Sequence, residues 1–291
     1  MSYANPGSAC WSRRGVLTAA GLSAGVVALP AQPSFAASAS ANPLATPDQR
    51  YVDGVALAVL RSMGFADSKA TARASYLLGR AGLVPPGGAA RLTNAVDELL
   101  FGMIQTAANC DAFRPRVYWL GCGAHTWLGA QVPGGRWAYD NPDTIYRTVP
   151  IDPASHYIIR GRLLGSGTTD LAFSLIDDLI TQTTVDYVDG LTLRDQANPT
   201  YTVTVGPEPA NGRTNHLQTT NRTVQLFIRT TIADWENELP DALEVERTDP
   251  GSLPGPPTVG EIAQQAKILM MRGAPIFGPA LLGLKTMAKL P

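Results

Sequence analysis

The chain has 291 residues, of which 23 are basic and 24 are acidic, so its net charge is −1. That balance lacks the basic excess of a dedicated nucleic-acid-binding protein and argues against that class. Only 16% of the residues are charged, whereas glycine and proline number 28 and 23. Such a composition favours a compact, turn-rich extracellular protein with one large domain.

Residues 1–36 are predicted to be a twin-arginine export signal. Arg13 and Arg14 precede a weakly hydrophobic run from Gly15 to Leu29. Residues 34–36 form a small-x-small cleavage site, and cleavage after Ala39 or Ala41 would fit nearly as well. The run is shorter than the roughly 20 residues that span a bilayer. Paired arginines before a weak apolar run are typical of the twin-arginine route, although a chance pair in a general secretion signal is the alternative. We therefore expect a secreted or cell-envelope protein, with the twin-arginine translocase as its partner during export.

The mature chain is predicted to carry no membrane span and to begin, over residues 37–110, with a leader and a helical segment. Thr46 is a helix cap with Pro47 in the first turn, and a second helix is predicted from Ser68 to Leu78. A third helix is predicted because apolar residues recur at helical spacing. These are Leu92, Ala95, Val96, Leu99, Leu100, Met103, Ile104 and Ala107.

Residues 111–248 are predicted to form an antiparallel β-sandwich, so the fold class is mainly β. Seven strands are predicted at 117–120, 144–149, 157–163, 171–175, 201–205, 223–230 and 242–247. Strands that follow one another without intervening helices indicate an antiparallel sheet arrangement. Residues 249–291 are predicted to be a Pro/Gly linker and a C-terminal helix, opened by a capping box at Thr258 and Glu261 and ended by Gly273.

Two segments within residues 115–248 carry a family resemblance. One runs from Tyr139 through the Asp140-Asn141-Pro142-Asp143-Thr144 motif to Gly161, and the other from Asn215 through Asp234-Trp235 to Arg247. In this order and spacing they resemble the domain-of-unknown-function 1214 family of bacterial proteins. The resemblance implies a β-sandwich of the jelly-roll type and implies no established activity. Family members tend to have Asn-Trp where this chain has Asn215-His216, so the chemistry at that position differs here.

Cys110 and Cys122 are the two cysteines beyond the signal, and a disulfide between them is predicted. An even cysteine count outside the cytoplasm favours a bridge, which would stabilise the fold by about 3 kcal/mol in the chain-entropy model. The alternatives are two buried thiols, or a reactive thiol or metal ligand.

Arg147 is the first candidate ligand-binding residue. It shares a strand face with Ile145 and Val149, while Tyr146 faces the other way. A long cation among apolar neighbours needs an anionic partner, which could be Asp143 or a ligand carboxylate or sulfate.

Arg229 poses a similar question, since it alternates with apolar residues on its strand and shares a face with Gln225 and Phe227. If that face is concave, it gives a polar and aromatic pocket lining; otherwise it is solvated. We predict one pocket near Arg147, Arg229 and Asn215. The candidate ligand-binding residues are Asp143, Tyr146, Arg147, Asn215, His216 and Arg229.

No catalytic residue, metal ligand or cofactor is assigned from the sequence. His125, His156 and His216 lack the short spacings of a zinc motif, and no G-x-S-x-G, phosphate loop or dinucleotide fingerprint is present. The leading hypothesis is an exported protein that binds a small molecule. The alternatives are an acid/base hydrolase or lyase that uses Asp143 or His216, a metal-dependent enzyme, and an envelope interaction protein that uses the C-terminal helix.

Replacing Arg13 and Arg14 by lysine should leave unprocessed precursor in the cytoplasm, because the translocase recognises the arginine pair. Cell fractionation measures this, with the charge-conserving Arg50→Lys/Arg61→Lys protein as the control. Export of the signal variant at the control level would remove the twin-arginine assignment.

Overall fold

The computed structural model describes residues 42–78, 88–137 and 140–287; the predicted export signal lies outside them. Four helices occur there: α1 (Pro47–Ser62), α2 (Ala66–Leu78), α3 (Gly88–Ala108) and α4 (Val259–Met287). The predicted cap of α1 is confirmed, since Thr46 Oγ1 accepts a hydrogen bond from the Gln49 backbone N–H at 3.1 Å. Asn, Asp, Ser and Thr are favoured there because their side chains satisfy a backbone donor that the helix leaves open.

The start of α4 is confirmed and its predicted end is wrong. The Thr258 N–H donates to Glu261 Oε2 at 2.8 Å and the Glu261 N–H donates to Thr258 Oγ1 at 3.3 Å, a reciprocal capping box. The helix passes through Gly273 and continues to Met287. A Cβ at Gly273 would lie 3.1 Å from the Phe277 ring and 3.4 Å from Met103. This glycine therefore allows α4 to approach α3 closely instead of ending the helix.

Eleven strands form three antiparallel or mixed sheets within the described residues. They are β1 (Tyr118–Leu120), β2 (His125–Trp127), β3 (Ala130–Val132), β4 (Thr144–Pro150), β5 (Tyr157–Arg162), β6 (Asp170–Ile176), β7 (Thr184–Asp189), β8 (Thr200–Gly206), β9 (His216–Gln218), β10 (Gln225–Thr231) and β11 (Ala242–Arg247). The five-stranded sheet has the order β1-β4-β10-β6-β7, and the four-stranded sheet has the order β11-β5-β8-β9. All pairs are antiparallel except β8–β9, and β2 with β3 forms a separate hairpin.

Four strands were not predicted: β2, β3, β7 and β9. Three of them are only three residues long, too short to show an alternating pattern. The hairpin of β2 and β3 turns through Leu128 and Gly129, which both have positive φ angles of 51° and 80°. That turn lacks the Asn-Gly or Asp-Gly pair that signals a two-residue hairpin in a sequence.

The two larger sheets share one buried core, which contains Val149 and Phe173 from the five-stranded sheet and Ile159 and Val203 from the four-stranded one. Each side chain of this size contributes about 1.5–3 kcal/mol when it is buried. A second core joins the helices to the opposite face of the five-stranded sheet. The predicted fold class, mainly antiparallel β with helices before the sheets and one after them, is confirmed at this level. No helix within the described ranges is long and apolar enough to cross a membrane.

The predicted disulfide is wrong, because Cys110 and Cys122 are not bridged and both are buried. Cys110 belongs to the core between the helices and the five-stranded sheet, at the end of α3. Burial, followed by the nearby Asp53 carboxylate, raises the pKa of the Cys122 thiol to about 12. A thiol that is both buried and protonated is a poor nucleophile and a poor partner for oxidation.

Native protein should therefore resist thiol reagents, and unfolded protein should react at both cysteines without any reductant. Ellman titration of the full chain carrying Cys10→Ser measures both states. The same chain with Thr126→Cys, at an exposed position of β2, should react while still folded. Unfolded, unreduced protein that shows no reactive thiol would restore the predicted bridge.

Candidate functional site

The strand register decides which candidate residues can meet. In the antiparallel pair of β4 and β10, Arg147 lies opposite Ile228 and Tyr146 lies opposite Arg229. Directly opposed residues point to the same face of a sheet. Arg147 therefore faces the core between the sheets with Ile228, and Arg229 faces the helices with Tyr146. The predicted pocket shared by Arg147 and Arg229 is wrong, because the five-stranded sheet separates the two side chains.

Arg147 belongs to a buried polar network between the two sheets. Its side chain donates from Nη1 to the Asp241 backbone oxygen at 2.6 Å and from Nη2 to Thr230 Oγ1 at 3.2 Å. The fully buried Asp241 carboxylate accepts two hydrogen bonds from Arg194, at 3.0 and 2.9 Å. Tyr201 donates its hydroxyl proton to the same carboxylate at 2.7 Å. This network, hereafter the Asp241 cluster, consists of Arg147, Arg194, Tyr201, Thr230 and Asp241.

A glycine on the neighbouring strand lets Tyr201 reach the cluster. Gly161 lies opposite Tyr201 in the β5–β8 pair, and a Cβ at Gly161 would lie 2.1 Å from the tyrosine ring. The ring therefore occupies the space that a side chain would take. Any residue larger than glycine would displace the ring and remove one hydrogen bond from Asp241.

The predicted Asp143–Arg147 ion pair is also wrong. Asp143 lies in the exposed turn before β4, where its N–H donates to Asn141 Oδ1 and its carboxylate accepts from the exposed Trp235 indole at 3.4 Å. Arg147 instead donates to the Asp241 backbone oxygen and to Thr230 in the Asp241 cluster. Burial lowers the pKa of Arg147 to about 10, a shift that Tyr201 and Asp241 partly offset.

Tyr146 and Arg229 line a cavity of about 210 Å³ on the helix-covered face of the five-stranded sheet. We call it the sheet–helix pocket, and its lining includes Gly121, Trp137, Asp140, Tyr146, Phe227, Arg229 and Phe277. The Tyr146 and Phe227 rings stack with centroids 5.6 Å apart and planes 11° apart. The Trp137 and Phe277 rings are 5.4 Å apart, and Phe277 comes from α4. The pocket is thus aromatic, with helix and sheet each supplying part of its wall.

Two charged side chains give the sheet–helix pocket its polarity. The Arg229 guanidinium lies over the Phe227 ring, 4.8 Å from its centroid, and forms no hydrogen bond or ion pair within the described part of the chain. Asp140 accepts a hydrogen bond from the Trp137 N–H at 3.1 Å. Gly121, whose φ is +82°, makes room for this carboxylate, since a Cβ there would lie 3.0 Å from Asp140 Oδ1.

Asn215 and His216 lie at the edge of the four-stranded sheet, away from Arg229. Asn215 Nδ2 donates to the Thr202 backbone oxygen at 2.9 Å. The His216 ring, which is 5% exposed, contacts Thr204 Oγ1 at 2.8 Å through Nδ1 and the Glu208 backbone oxygen at 2.7 Å through Nε2. Both ring nitrogens are engaged, so His216 holds the loop after β8 in place.

The other histidines also have local partners. His156 lies between Glu208 and Asp249, at 2.5 and 2.6 Å, and these carboxylates raise the pKa of its ring, Glu208 most strongly. His125 Nδ1 contacts the Gly123 backbone oxygen at 2.8 Å. Within the described ranges, no three His, Cys, Asp or Glu side chains are placed to hold a metal ion.

Several important residues escaped the sequence analysis. Asp241 follows Pro240 and resembles ordinary turn composition, and Arg194 lies just after a short 3₁₀ helix. No local signal connects them with Arg147. Asp140 was closer to detection, because it begins the motif that carries the family resemblance. Trp137 lies just before that segment.

Comparison with solved structures shows a likeness in fold. The crystal structure of an uncharacterized protein from Burkholderia cenocepacia is similar to this chain, with a TM-score of 0.58 and 18% sequence identity. The similar region covers 79% of this chain and 63% of that chain, so this chain spans less than two thirds of its length. At 18% identity the likeness is evidence of a shared fold alone. No family model matches the chain, and no curated protein matches it.

The Asp241→Asn variant should lower the free energy of unfolding by about 3–5 kcal/mol, because Arg194 and Tyr201 lose a buried carboxylate acceptor and the buried Arg147 loses the nearby negative charge. Chemical denaturation measures the loss. Asp143→Asn is the matched control, since it makes the same change in an exposed turn and should alter stability by less than about 0.5 kcal/mol. Equal effects of the two substitutions would contradict the role given to the Asp241 cluster.

Proposed function

We propose that this chain binds a small planar molecule with an anionic group in the sheet–helix pocket. One observation carries the proposal: Arg229 lies in an aromatic cavity and has no acidic partner in the described part of the chain. A guanidinium placed in this way is suited to bind a carboxylate through two parallel hydrogen bonds.

The size and walls of the pocket support a compact aromatic ligand. An apolar cavity of about 150 Å³ holds a benzene ring, so a cavity of about 210 Å³ fits a ring with short polar substituents. Tyr146, Phe227 and Trp137 offer ring faces and edges for stacking. Asp140 favours a hydrogen-bond donor on the ligand away from the carboxylate. The proposed class is therefore a hydroxy- or amino-substituted aromatic acid.

The proposal extends to the protein's origin and family. We propose that it is exported by the twin-arginine route, on the evidence of Arg13 and Arg14, and works outside the cytoplasm. We also propose that it belongs to the domain-of-unknown-function 1214 family, with a jelly-roll sandwich, on the two motifs within residues 115–248. The presence of two facing, largely antiparallel sheets supports the sandwich. Two pocket residues, Asp140 and Tyr146, belong to the first motif.

Binding is better supported than the competing functions. The acid/base hypothesis depended on Asp143 and His216, but Asp143 lies in an exposed turn and His216 has both ring nitrogens engaged. The interaction-protein hypothesis relied on the C-terminal helix. Ile262, Ala263, Ala266, Leu269 and Met270 of α4 are buried in the core that joins the helices to the sheet.

Arg229→Met should weaken the binding of 4-hydroxybenzoate at least about tenfold, because a charge-assisted hydrogen-bond pair is lost. It should leave the melting temperature nearly unchanged, since Arg229 makes no ion pair with the described residues. Isothermal titration calorimetry measures the affinity.

Two controls make this test specific. Arg160→Met removes a surface arginine that pairs with Glu246 and should not change the affinity. The neutral amide of the same acid should bind the parent protein and Arg229→Met equally. Undiminished binding of the acid by Arg229→Met, or no binding by the parent protein, would contradict the proposal.

A further inference from the structure

A second cavity lies at the other face of the five-stranded sheet, between the start of α1 and the Asp241 cluster. Its lining includes Leu44, Thr46, Gln49, Trp119, Arg147 and Leu243. Its volume of about 10 Å³ corresponds to roughly one water-sized sphere. An aromatic ring does not fit, so the occupant is a small group such as a single ion.

Arg147 brings uncompensated positive charge to this cavity. Its two terminal nitrogens are hydrogen-bonded, but Nε is buried and has no hydrogen-bond partner among the described residues. The side chain is only 3% exposed. The one carboxylate of the Asp241 cluster is already bound by Arg194 at two atoms. The buried Arg147 therefore shares this single negative charge with the half-buried Arg194, which is costly for Arg147 without another anion.

The N-terminus of α1 adds a second attraction for an anion at the same place. Thr46 caps this helix and accepts a hydrogen bond from the Gln49 N–H, which leaves the hydroxyl proton of Thr46 for another acceptor. Pro47 has no N–H and the Gln49 N–H is bonded to Thr46, so it is the dipole of this 16-residue helix that favours negative charge at its start. The Asp48 carboxylate also lies near this cavity, because it accepts from the N–H of the lining residue Val117 at 3.2 Å, and Arg116 at 3.8 Å offsets its charge.

We infer that a single halide ion, chloride or bromide, binds between Arg147 Nε and the Thr46 hydroxyl at the N-terminus of α1. The ion supplies the negative charge that the Asp241 cluster lacks, and it joins the first helix to the space between the sheets. This site is independent of the sheet–helix pocket and of the aromatic acid proposed to bind there.

Chloride should raise the melting temperature of the full chain when it replaces gluconate at constant ionic strength. A ligand that binds only the folded state at about ten times its Kd should raise the midpoint by roughly 3–5 °C in a protein of this size. Arg160→Met, which removes a surface arginine that pairs with Glu246, should keep the full chloride response.

Two substitutions at Thr46 test the site without removing the helix cap. Thr46→Ser keeps the hydroxyl and should keep the chloride response. Thr46→Asp keeps the cap but places a carboxylate beside Arg147, so it should abolish the response and melt in gluconate at or above the parent temperature. Crystals grown with bromide should show an anomalous peak within hydrogen-bond distance of Arg147 Nε in the parent protein and none in Thr46→Asp.

The inference is overturned if the parent protein melts at the same temperature in chloride and gluconate. It is also overturned if Thr46→Asp responds to chloride as the parent does, or if bromide gives no peak beside Arg147. A water molecule bound to Nε would produce the first and third of these results.

Discussion

The carboxylate of Asp241 is the group around which the two sheets are arranged. It has no access to water, and a buried anion persists only where hydrogen bonds and opposite charge replace its hydration. Tyr201 reaches it from the four-stranded sheet, while Arg147 reaches the same residue's backbone oxygen from the five-stranded sheet. Because these bonds are short and directional, they permit few other arrangements of the two sheets. The apolar core supplies most of the stabilisation, and the Asp241 cluster adds specificity.

The position of Arg147 also determines which residues line the proposed ligand pocket. Once Arg147 turns toward Asp241, strand alternation sends Tyr146 to the opposite face, and the register of β10 places Arg229 beside it. That face would be an open sheet surface without the helices. Phe277 of α4 closes part of the space above the stacked Tyr146 and Phe227 rings. The sheet–helix pocket thus depends on segments from distant parts of the chain. Arg229 is the one arginine among its lining residues.

Much of the fold follows from local sequence patterns, whereas the site does not. The cap at Thr46, the capping box of α4 and the alternation around Arg147 each depend on a few neighbouring residues, and each was predicted correctly. The relation of Arg147 to Arg229 depends on pairing between strands about 80 residues apart, and no local pattern contains that register. The same limit applies to Cys110 and Cys122, since their spacing permits a bridge but only packing decides whether one forms. Gly273 was misjudged because a glycine that ends a helix and one that admits a neighbouring helix look alike in a sequence.

A crystal structure of the protein soaked with 3-iodo-4-hydroxybenzoate tests the central claim most directly, because the iodine can be located by its anomalous scattering. The account predicts an iodine peak in the sheet–helix pocket, with the ligand carboxylate within hydrogen-bond distance of the Arg229 guanidinium. Arg147 should remain bound to the Asp241 backbone oxygen in the same crystal. A ligand carboxylate bound to Arg147 between the sheets, with Arg229 unoccupied, would contradict the account.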